Sequence, residues 1–237
     1  MPRMKRGQIK SIQELLSAGR PLVVGTIHER TGLQLIRRGR TALAGLDLLE
    51  ARLDCLDGID LPVKWPLPVI ATARHPDEGG SGSLPKAKRA GLLDDAVAWA
   101  TAIDVELRSS RALAPVIARA HQHGRTVILS HHDFKATPSL RTLERHAAKA
   151  ASEGADLFKV ATLLRDRRDL MRLIEFQVGA SPVPVVAMGM GGAGRFSRIV
   201  LGGFGAPLCY GWLGKPQVPG QWPAAGLREL LNEVLPA

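Results

Sequence analysis

The segment S-H-H-D-F-K, residues 130–135, places two histidines, an aspartate and a lysine just after the apolar run 126–129. Histidine exchanges protons near neutral pH and is also a common metal ligand. The segment could therefore be a proton-transfer site, a metal site or a solvated loop. No H-E-x-x-H motif or cysteine pair supports a metal site, since Cys55 and Cys209 stand in unrelated contexts. Proton transfer is the interpretation we favour.

Lys159 is a second residue that could do chemistry, because it lies inside the apolar stretch D-L-F-K-V-A-T (156–162). Burial disfavours the charged form of a lysine. The neutral amine is the form that attacks a carbonyl to give a Schiff base. The alternative is a structural ion pair with one of three carboxylates: Glu50, Glu106 or Asp104. Lys135, by contrast, lies in a short Ala-Thr-Pro loop, and we expect it to be solvated.

Several other candidate strands carry polar residues where a core is expected. Glu50, Arg52 and Asp54 share one face of L-L-E-A-R-L-D, because side chains alternate along a strand. The pattern recurs at Arg74, Asp104, Glu106, Ser130, His132 and Lys159. Parallel strands are normally buried on both faces, so such groups need partners or a cavity. An edge strand with a solvated face would explain one strand, but repetition over five strands favours one shared polar site.

The two histidines point to opposite faces of their strand. His132 shares a face with Ser130 and Ile128, and His131 shares the other face with Leu129. Parity alone does not say which face carries the chemistry.

The elements that must position these residues are short apolar runs that alternate with helix-like stretches. The eight runs are 21–27, 46–54, 68–74, 103–109, 126–132, 156–162, 184–190 and 206–212. Segment 139–154 is typical of the intervening helices. Eight such units predict an α/β fold, a single (β/α)8 TIM barrel, which gathers polar residues at the carboxyl ends of its strands. A doubly wound sheet is the alternative, but no strand is followed by G-x-G-x-x-G.

Length and composition agree with one barrel domain over residues 1–237. We expect a basic leader with a possible N-terminal helix over 1–18 and the barrel over 19–237. The N-terminus lacks the apolar core of a secretory signal, and no apolar run approaches a membrane span, so we expect a soluble cytoplasmic protein. The net charge of +10 invites a nucleic-acid function, but aromatic residues make up only 4% of the chain and no nucleic-acid motif occurs. The excess charge better suits an anionic small molecule.

Six motifs, in this order, resemble the type I 3-dehydroquinate dehydratases of the shikimate pathway. They are E-A-R-L-D (50–54), T-A-R-x3-E-G-G (72–80), S-H-H-D-F-x2-T-P (130–138), A-D-L-F-K-V-A (155–161), M-G-M-G-x2-G-x2-S-R (188–198) and V-P-G-Q (218–221). The resemblance covers nearly the whole chain after the leader. It implies a hydro-lyase that converts 3-dehydroquinate to 3-dehydroshikimate without a metal or organic cofactor, as a homodimer.

The resemblance also implies roles for individual residues. Lys159 would form the Schiff base, His132 would be the general acid and base, and Glu78 would hydrogen-bond that histidine. The implied substrate contacts are Thr26, Glu50, Arg52, Arg74, Arg198, Gln217 and Gln221. Arg198 would clamp the substrate carboxylate, and Gln221 would reach in from a loop after the last strand.

Two departures from the family pattern affect the expected binding of substrate. Gln217-Val218 stands where the family usually has Ser-Ala, and Gly189 replaces a serine. Two other functions remain open. Another Schiff-base barrel, such as a class I aldolase acting on an anionic sugar derivative, would keep Lys159 but would not need Glu78 paired with His132. A basic binding module would need none of these residues.

Overall fold

The strands of the protein match the eight apolar runs of the sequence. The computed structural model describes residues 12–17, 19–82 and 84–235, so the basic leader before Ile12 lies outside the described residues. The strands are β1 (Leu22–Ile27), β2 (Leu48–Arg52), β3 (Val69–Thr72), β4 (Ala102–Glu106), β5 (Thr126–Asp133), β6 (Leu157–Leu163), β7 (Val185–Met190) and β8 (Leu208–Trp212). Each lies within or close to its predicted range.

The strands pair in parallel in the order β7-β6-β5-β4-β3-β2-β1-β8. Because β1 pairs with both β2 and β8, the sheet curls round on itself. Among the described residues the ladder stays open only between β7 and β8. The fold is thus a nearly closed (β/α)8 barrel, and the predicted fold class is confirmed.

Helices cover the outside of the barrel. They are α1 (Ile12–Leu16), α2 (Arg30–Arg37), α3 (Lys86–Ala96), α4 (Ala114–Gln122), α5 (Leu140–Ser152), α6 (Arg167–Val178), α7 (Gly194–Gly203) and α8 (Ala224–Val234), with 3-10 turns at Arg40–Leu43 and Pro76–Glu78. The predicted helix over 139–154 is α5. Ser139 caps it by accepting a hydrogen bond from the Thr142 amide, as this residue type does at helix starts.

The expectation of a helix after every strand is wrong after β2. Residues 53–68 form an irregular connection there, without an α-helix. Three prolines in this stretch lack the amide donors that a helix interior needs: Pro62, Pro66 and Pro68. Trp65 stacks on Trp99, with ring centroids 5.5 Å apart.

Side chains inside the barrel lie in layers contributed by alternate strands, as expected for this fold. The lower layers are apolar, and Ile12 of α1 packs against them from the amino-terminal end of the barrel. The apolar members are Leu48, Ala102, Leu157 and Leu208, then Val24, Ile70, Ile128 and Val186. The next layer holds Glu50, Asp104, Lys159 and Tyr210. Above it lie Thr26, Thr72, Ser130 and Met188.

A second apolar shell separates the outer face of the sheet from the helices. Phe158 and Val160 belong to this shell, and Phe158 packs edge-on against Phe176 at 6.3 Å. The alternation along β6 therefore directs Lys159 inward while its two neighbours hold the strand against the helices.

Truncating an interior side chain should destabilise the barrel far more than the same truncation on its surface. Val24 is fully buried and Val63 is fully exposed. We expect Val24→Ala to lower the free energy of unfolding by about 2 kcal/mol, because two methyl groups leave a cavity. Val63→Ala should change it by less than about 0.5 kcal/mol. Urea unfolding measures both, and equal effects would contradict the layered interior.

Candidate active site

The amine of Lys159 is held between two carboxylates in the first polar layer. Its Nζ donates to Asp104 Oδ2 at 3.0 Å and to Glu50 Oε1 at 3.3 Å, and it sits 4.0 Å from the centre of the Tyr210 ring. Two of the three carboxylates expected as ion-pair partners therefore contact it. Glu106 instead pairs with Arg74 and Arg89.

Hydroxyl groups of the next layer fix these carboxylates. Thr26 and Thr72 each donate to Glu50 at 2.9 Å, and Ser130 donates to Asp104 at 2.6 Å. Burial alone would raise the pKa of both carboxyl groups, but neighbouring cations outweigh it and hold their pKa values below the usual range. Both acids are therefore anions, and their positions are set by several donors each.

The buried charges that are linked to Lys159 through ion pairs balance one for one. Three acids, Glu50, Asp104 and Glu106, face three cations, Lys159, Arg74 and Arg89. Removing one member of such a cluster leaves an unpaired buried charge, which is strongly destabilising. The cluster thus holds Lys159 in one place.

His132 and Glu78 form the second component of the site. Glu78 Oε2 lies 3.1 Å from His132 Nδ1 and accepts from the His132 amide at 2.9 Å. The 3-10 turn that carries Glu78 ends at Gly79, whose φ of +83° favours glycine. At Gly80 a side chain would meet the Arg74 carbonyl oxygen at 2.2 Å. The two glycines therefore allow the turn to fold tightly beside β3.

Burial favours the neutral form of both partners. It raises the pKa of Glu78 to about 7 and, together with the Arg74 and Lys159 cations, lowers the pKa of His132 well below its usual value. When Glu78 is ionised, it accepts Nδ1–H from a neutral imidazole. We assign that tautomer from the hydrogen bond, and it leaves Nε2 free to accept a proton.

Arg198 differs from the other buried arginines because it has no acidic partner within the described ranges. Its Nη1 donates to the carbonyl oxygens of Gly189, Gly194 and Gly220, while its buried Nε has no hydrogen-bond partner. Burial lowers its pKa to about 10, so it remains a cation at neutral pH. An uncompensated buried guanidinium favours a bound anion.

The loop after β8 closes over this arginine. The side-chain oxygen of Gln221 accepts from the backbone amides of Gln217 at 2.8 Å and Val218 at 3.3 Å. Gly220 approaches the preceding loop so closely that a side chain would meet the Gly191 carbonyl at 2.4 Å. The chain between Gln217 and Gln221 is thereby folded onto the pocket.

All of the candidate site residues line one cavity at the carboxyl end of the barrel. They are Thr26, Glu50, Arg52, Arg74, Glu78, His132, Lys159, Arg198, Gln217 and Gln221. Arg52 is held there by a two-pronged contact with Asp54, at 2.8 and 2.9 Å. Thr26, expected as a substrate contact, uses its hydroxyl hydrogen on Glu50.

Several residues that could not be singled out from the sequence also line the cavity: Phe134, Ala161, Met188, Met190, Tyr210 and Val218. The apolar ones resemble ordinary core residues. Tyr210 lies in the weakest strand candidate, and only its parity with Leu208 could have placed it inside the barrel.

The burial and orientation of single residues in the structure decide three expectations from the sequence. The solvated-face interpretation of β2 is wrong, because Glu50, Arg52 and Asp54 are all buried. Gly189 faces away from the cavity, where a side chain would meet Leu164 at 2.3 Å, so this departure does not alter the lining. The prediction that Lys135 is exposed is confirmed.

His131 takes the opposite face from His132, as parity predicts. Its ring packs edge-on against His146 of α5, with centroids 4.7 Å apart. It does not line the cavity.

The fold and the cavity define a class of α/β barrel in which an interior lysine and a histidine–glutamate pair share one pocket. Residues 26–235 match the model of the type I 3-dehydroquinase family. The chain belongs to this family.

Individual relatives show the same likeness. The chain is 34% identical over 217 residues to the 3-dehydroquinate dehydratase of Methanothermobacter thermautotrophicus, covering 89% of this chain and 96% of the relative. It is 33% identical to that of Methanosarcina barkeri, covering 89% and 93%. The solved type I 3-dehydroquinate dehydratase of Clostridium difficile superposes with a TM-score of 0.79 at 25% identity, covering 91% and 92%.

Two further findings bear on partners. No helix in the described part of the chain is long and apolar enough to cross a bilayer. Over those same residues, no three histidine, cysteine or acidic side chains come together as a metal site.

The raised pKa of Glu78 predicts a carboxyl group that titrates near neutral pH. Below pH 7 it should be mainly protonated and above pH 7 mainly ionised, whereas a solvated glutamate is already ionised at pH 6. Infrared difference spectra should show a protonated carboxyl band that disappears around pH 7. The band should be absent from Glu78→Gln and present in Glu229→Gln, a change at an exposed position. A band that persists in Glu78→Gln would refute the assignment.

Proposed function

We propose that the protein removes water from 3-dehydroquinate to give 3-dehydroshikimate, through a Schiff base on Lys159 with His132 as general acid and base. Membership of the type I 3-dehydroquinase family supports the overall reaction. The observation that carries the mechanism is the shared cavity, in which a buried amine, a histidine–glutamate pair and an uncompensated arginine face one another.

In the proposed first step, the Lys159 amine attacks the substrate ketone and the carbonyl oxygen leaves as water. The ammonium first gives up one proton to become a nucleophile and loses a second after the attack, and both protons end on the carbonyl oxygen as it leaves as water. A buried site that excludes water favours the neutral form of a lysine, and the neutral amine is the form that attacks a ketone. The Clostridium difficile relative was solved with a covalently modified comenic acid, which is consistent with covalent chemistry in this barrel.

In the second step, His132 Nε2 removes a proton from the carbon next to the imine. The electron pair of that C–H bond moves toward the imine nitrogen, which acts as the electron sink. The resulting enamine expels the neighbouring hydroxyl group, which takes a proton from His132 and leaves as water. One base that returns the proton it has taken suits a syn elimination. Hydrolysis of the imine then releases product and restores Lys159.

Glu78 supports this cycle by orienting the imidazole. Its carboxylate accepts Nδ1–H, so Nε2 points its lone pair into the cavity. The same carboxylate stabilises the imidazolium that forms when Nε2 takes the proton.

Binding of the substrate carboxylate is assigned to Arg198. A planar guanidinium can donate to both oxygens of a carboxylate. Gln221 and Gln217 lie in the loop above it, where the longer glutamine replaces the serine usual in the family. We expect Glu50, Arg52 and Arg74 to face the ring hydroxyls.

The aldolase alternative explains Lys159 but gives no role to the Glu78–His132 pair. Formation of a conjugated enone from 3-dehydroquinate separates the two reactions. The homodimer and the cytoplasmic location implied by the resemblance stay predictions, which light scattering and cell fractionation can test.

Two lysines of the chain should differ completely in a rate assay. Lys159→Ala should abolish the absorbance rise of the conjugated product, because no imine can form. Lys135→Ala should retain activity within about twofold, since Lys135 is exposed. His132→Ala should lower kcat by about 10²–10⁴-fold, as for loss of a general base. Normal activity in Lys159→Ala would refute the mechanism, and an inactive wild-type protein would refute the function.

A further inference from the structure

The fourth member of the lysine layer is a tyrosine whose hydroxyl group has no hydrogen-bond partner among the described residues. Tyr210 is 3% exposed and lines the cavity. Its three layer mates, Glu50, Asp104 and Lys159, are bonded to one another or to the hydroxyls above them. An unsatisfied buried hydroxyl costs about 1–3 kcal/mol, so its retention calls for an explanation.

The layer above explains why the hydroxyl is left without a partner. Three of its members are hydroxyl residues: Thr26, Thr72 and Ser130. The fourth, Met188 on β7, has no donor and only a weakly accepting thioether sulfur, and Met190 follows it. The side of the barrel near the open β7–β8 edge is therefore apolar, and the space beside Tyr210 belongs to the cavity.

The position of the ring relates the hydroxyl to the reacting atoms. Lys159 Nζ lies 4.0 Å from the centre of the ring. The phenolic oxygen is bonded to that ring, so it lies in the same layer of the barrel as the amine. A ketone that the amine attacks brings its own oxygen into the same space.

We infer that Tyr210 is a substrate contact, whose O–H donates a hydrogen bond to the oxygen of the carbonyl that Lys159 attacks. This inference rests on the proposed function. The hydroxyl acts as a donor in its neutral form, since burial and the Glu50 carboxylate keep its pKa well above the usual value. A donor at this oxygen orients the ketone and draws electron density from the carbon under attack. It therefore also selects ketones over compounds without an oxygen at this position.

Tyr210→Phe tests the inference, because it removes one oxygen atom and keeps the ring. We expect kcat/KM for 3-dehydroquinate to fall about 3- to 10-fold, the effect of losing one neutral hydrogen bond. The melting temperature should rise by about 2–4 °C, because the unsatisfied group is gone. If the hydroxyl had a purely structural role, its loss would leave kcat/KM within twofold of wild type and lower the melting temperature.

A second measurement locates the contact at the ketone. An analogue of 3-dehydroquinate with CH2 in place of the ketone should inhibit wild type and Tyr210→Phe with equal affinity. Weaker inhibition of the variant would overturn the inference, because the hydroxyl would then contact another part of the ligand.

Three other results would overturn it. They are a kcat/KM within twofold of wild type, a lower melting temperature, and failure of the variant to fold. The last two would mean that the hydroxyl is already satisfied in the free protein. Inactivity of the wild type would instead refute the proposed function, so the two failures are distinguishable.

Discussion

The contact between Lys159 and two buried carboxylates is the constraint on which the rest of the site depends. A lysine inside a barrel is stable only if its charge is compensated, and Asp104 and Glu50 provide this at 3.0 and 3.3 Å. Those acids in turn require the hydroxyls of Thr26, Thr72 and Ser130. Arg74 extends the network to Glu106. The amine is thereby fixed in one position inside the barrel, which suits both a stable core and a nucleophile that faces the cavity.

Arg198 and Glu78 lie outside the charge-balanced cluster around Lys159, and each is suited to interact with a substrate. Among the described residues Arg198 is a buried cation without an acidic partner, and burial raises the pKa of Glu78 to about 7. An anionic ligand compensates the charge of Arg198. A proton held between Glu78 and His132 suits a carboxyl group whose pKa is about 7. Lys159, Glu50 and Arg74 belong to the balanced cluster and also line the cavity, whereas Arg198 and Glu78 face the cavity from outside that cluster.

Much of this arrangement could be predicted from the sequence, because strands alternate strictly. Polar residues at every second position of β2 and β4 identified the inward face of those strands, and Lys159 was a polar residue of the same kind in β6. Parity could not tell which face of β5 points into the barrel. His132 was therefore chosen over His131 on the basis of a family motif. The structure gives the physical reason: His131 packs against α5, and His132 meets Glu78.

The errors have equally local causes. Prolines prevent a helix after β2. The pattern of alternating strands and helices does not predict this interruption. Gly189 was expected to affect binding because it departs from the family pattern, whereas strand alternation turns it toward Leu164. Tyr210 was missed because a lone aromatic residue in an apolar strand looks like core. Its unpaired hydroxyl is visible only when the whole layer is assembled.

Reductive trapping is the most direct test of whether Lys159 forms a Schiff base with 3-dehydroquinate. The protein is incubated with 3-dehydroquinate and borohydride, digested, and the peptides are weighed by mass spectrometry. The account predicts one reduced adduct, located on Lys159, formed at the expense of activity and absent without substrate. An adduct on Lys135 instead, or turnover to the enone with no adduct at all, would contradict it.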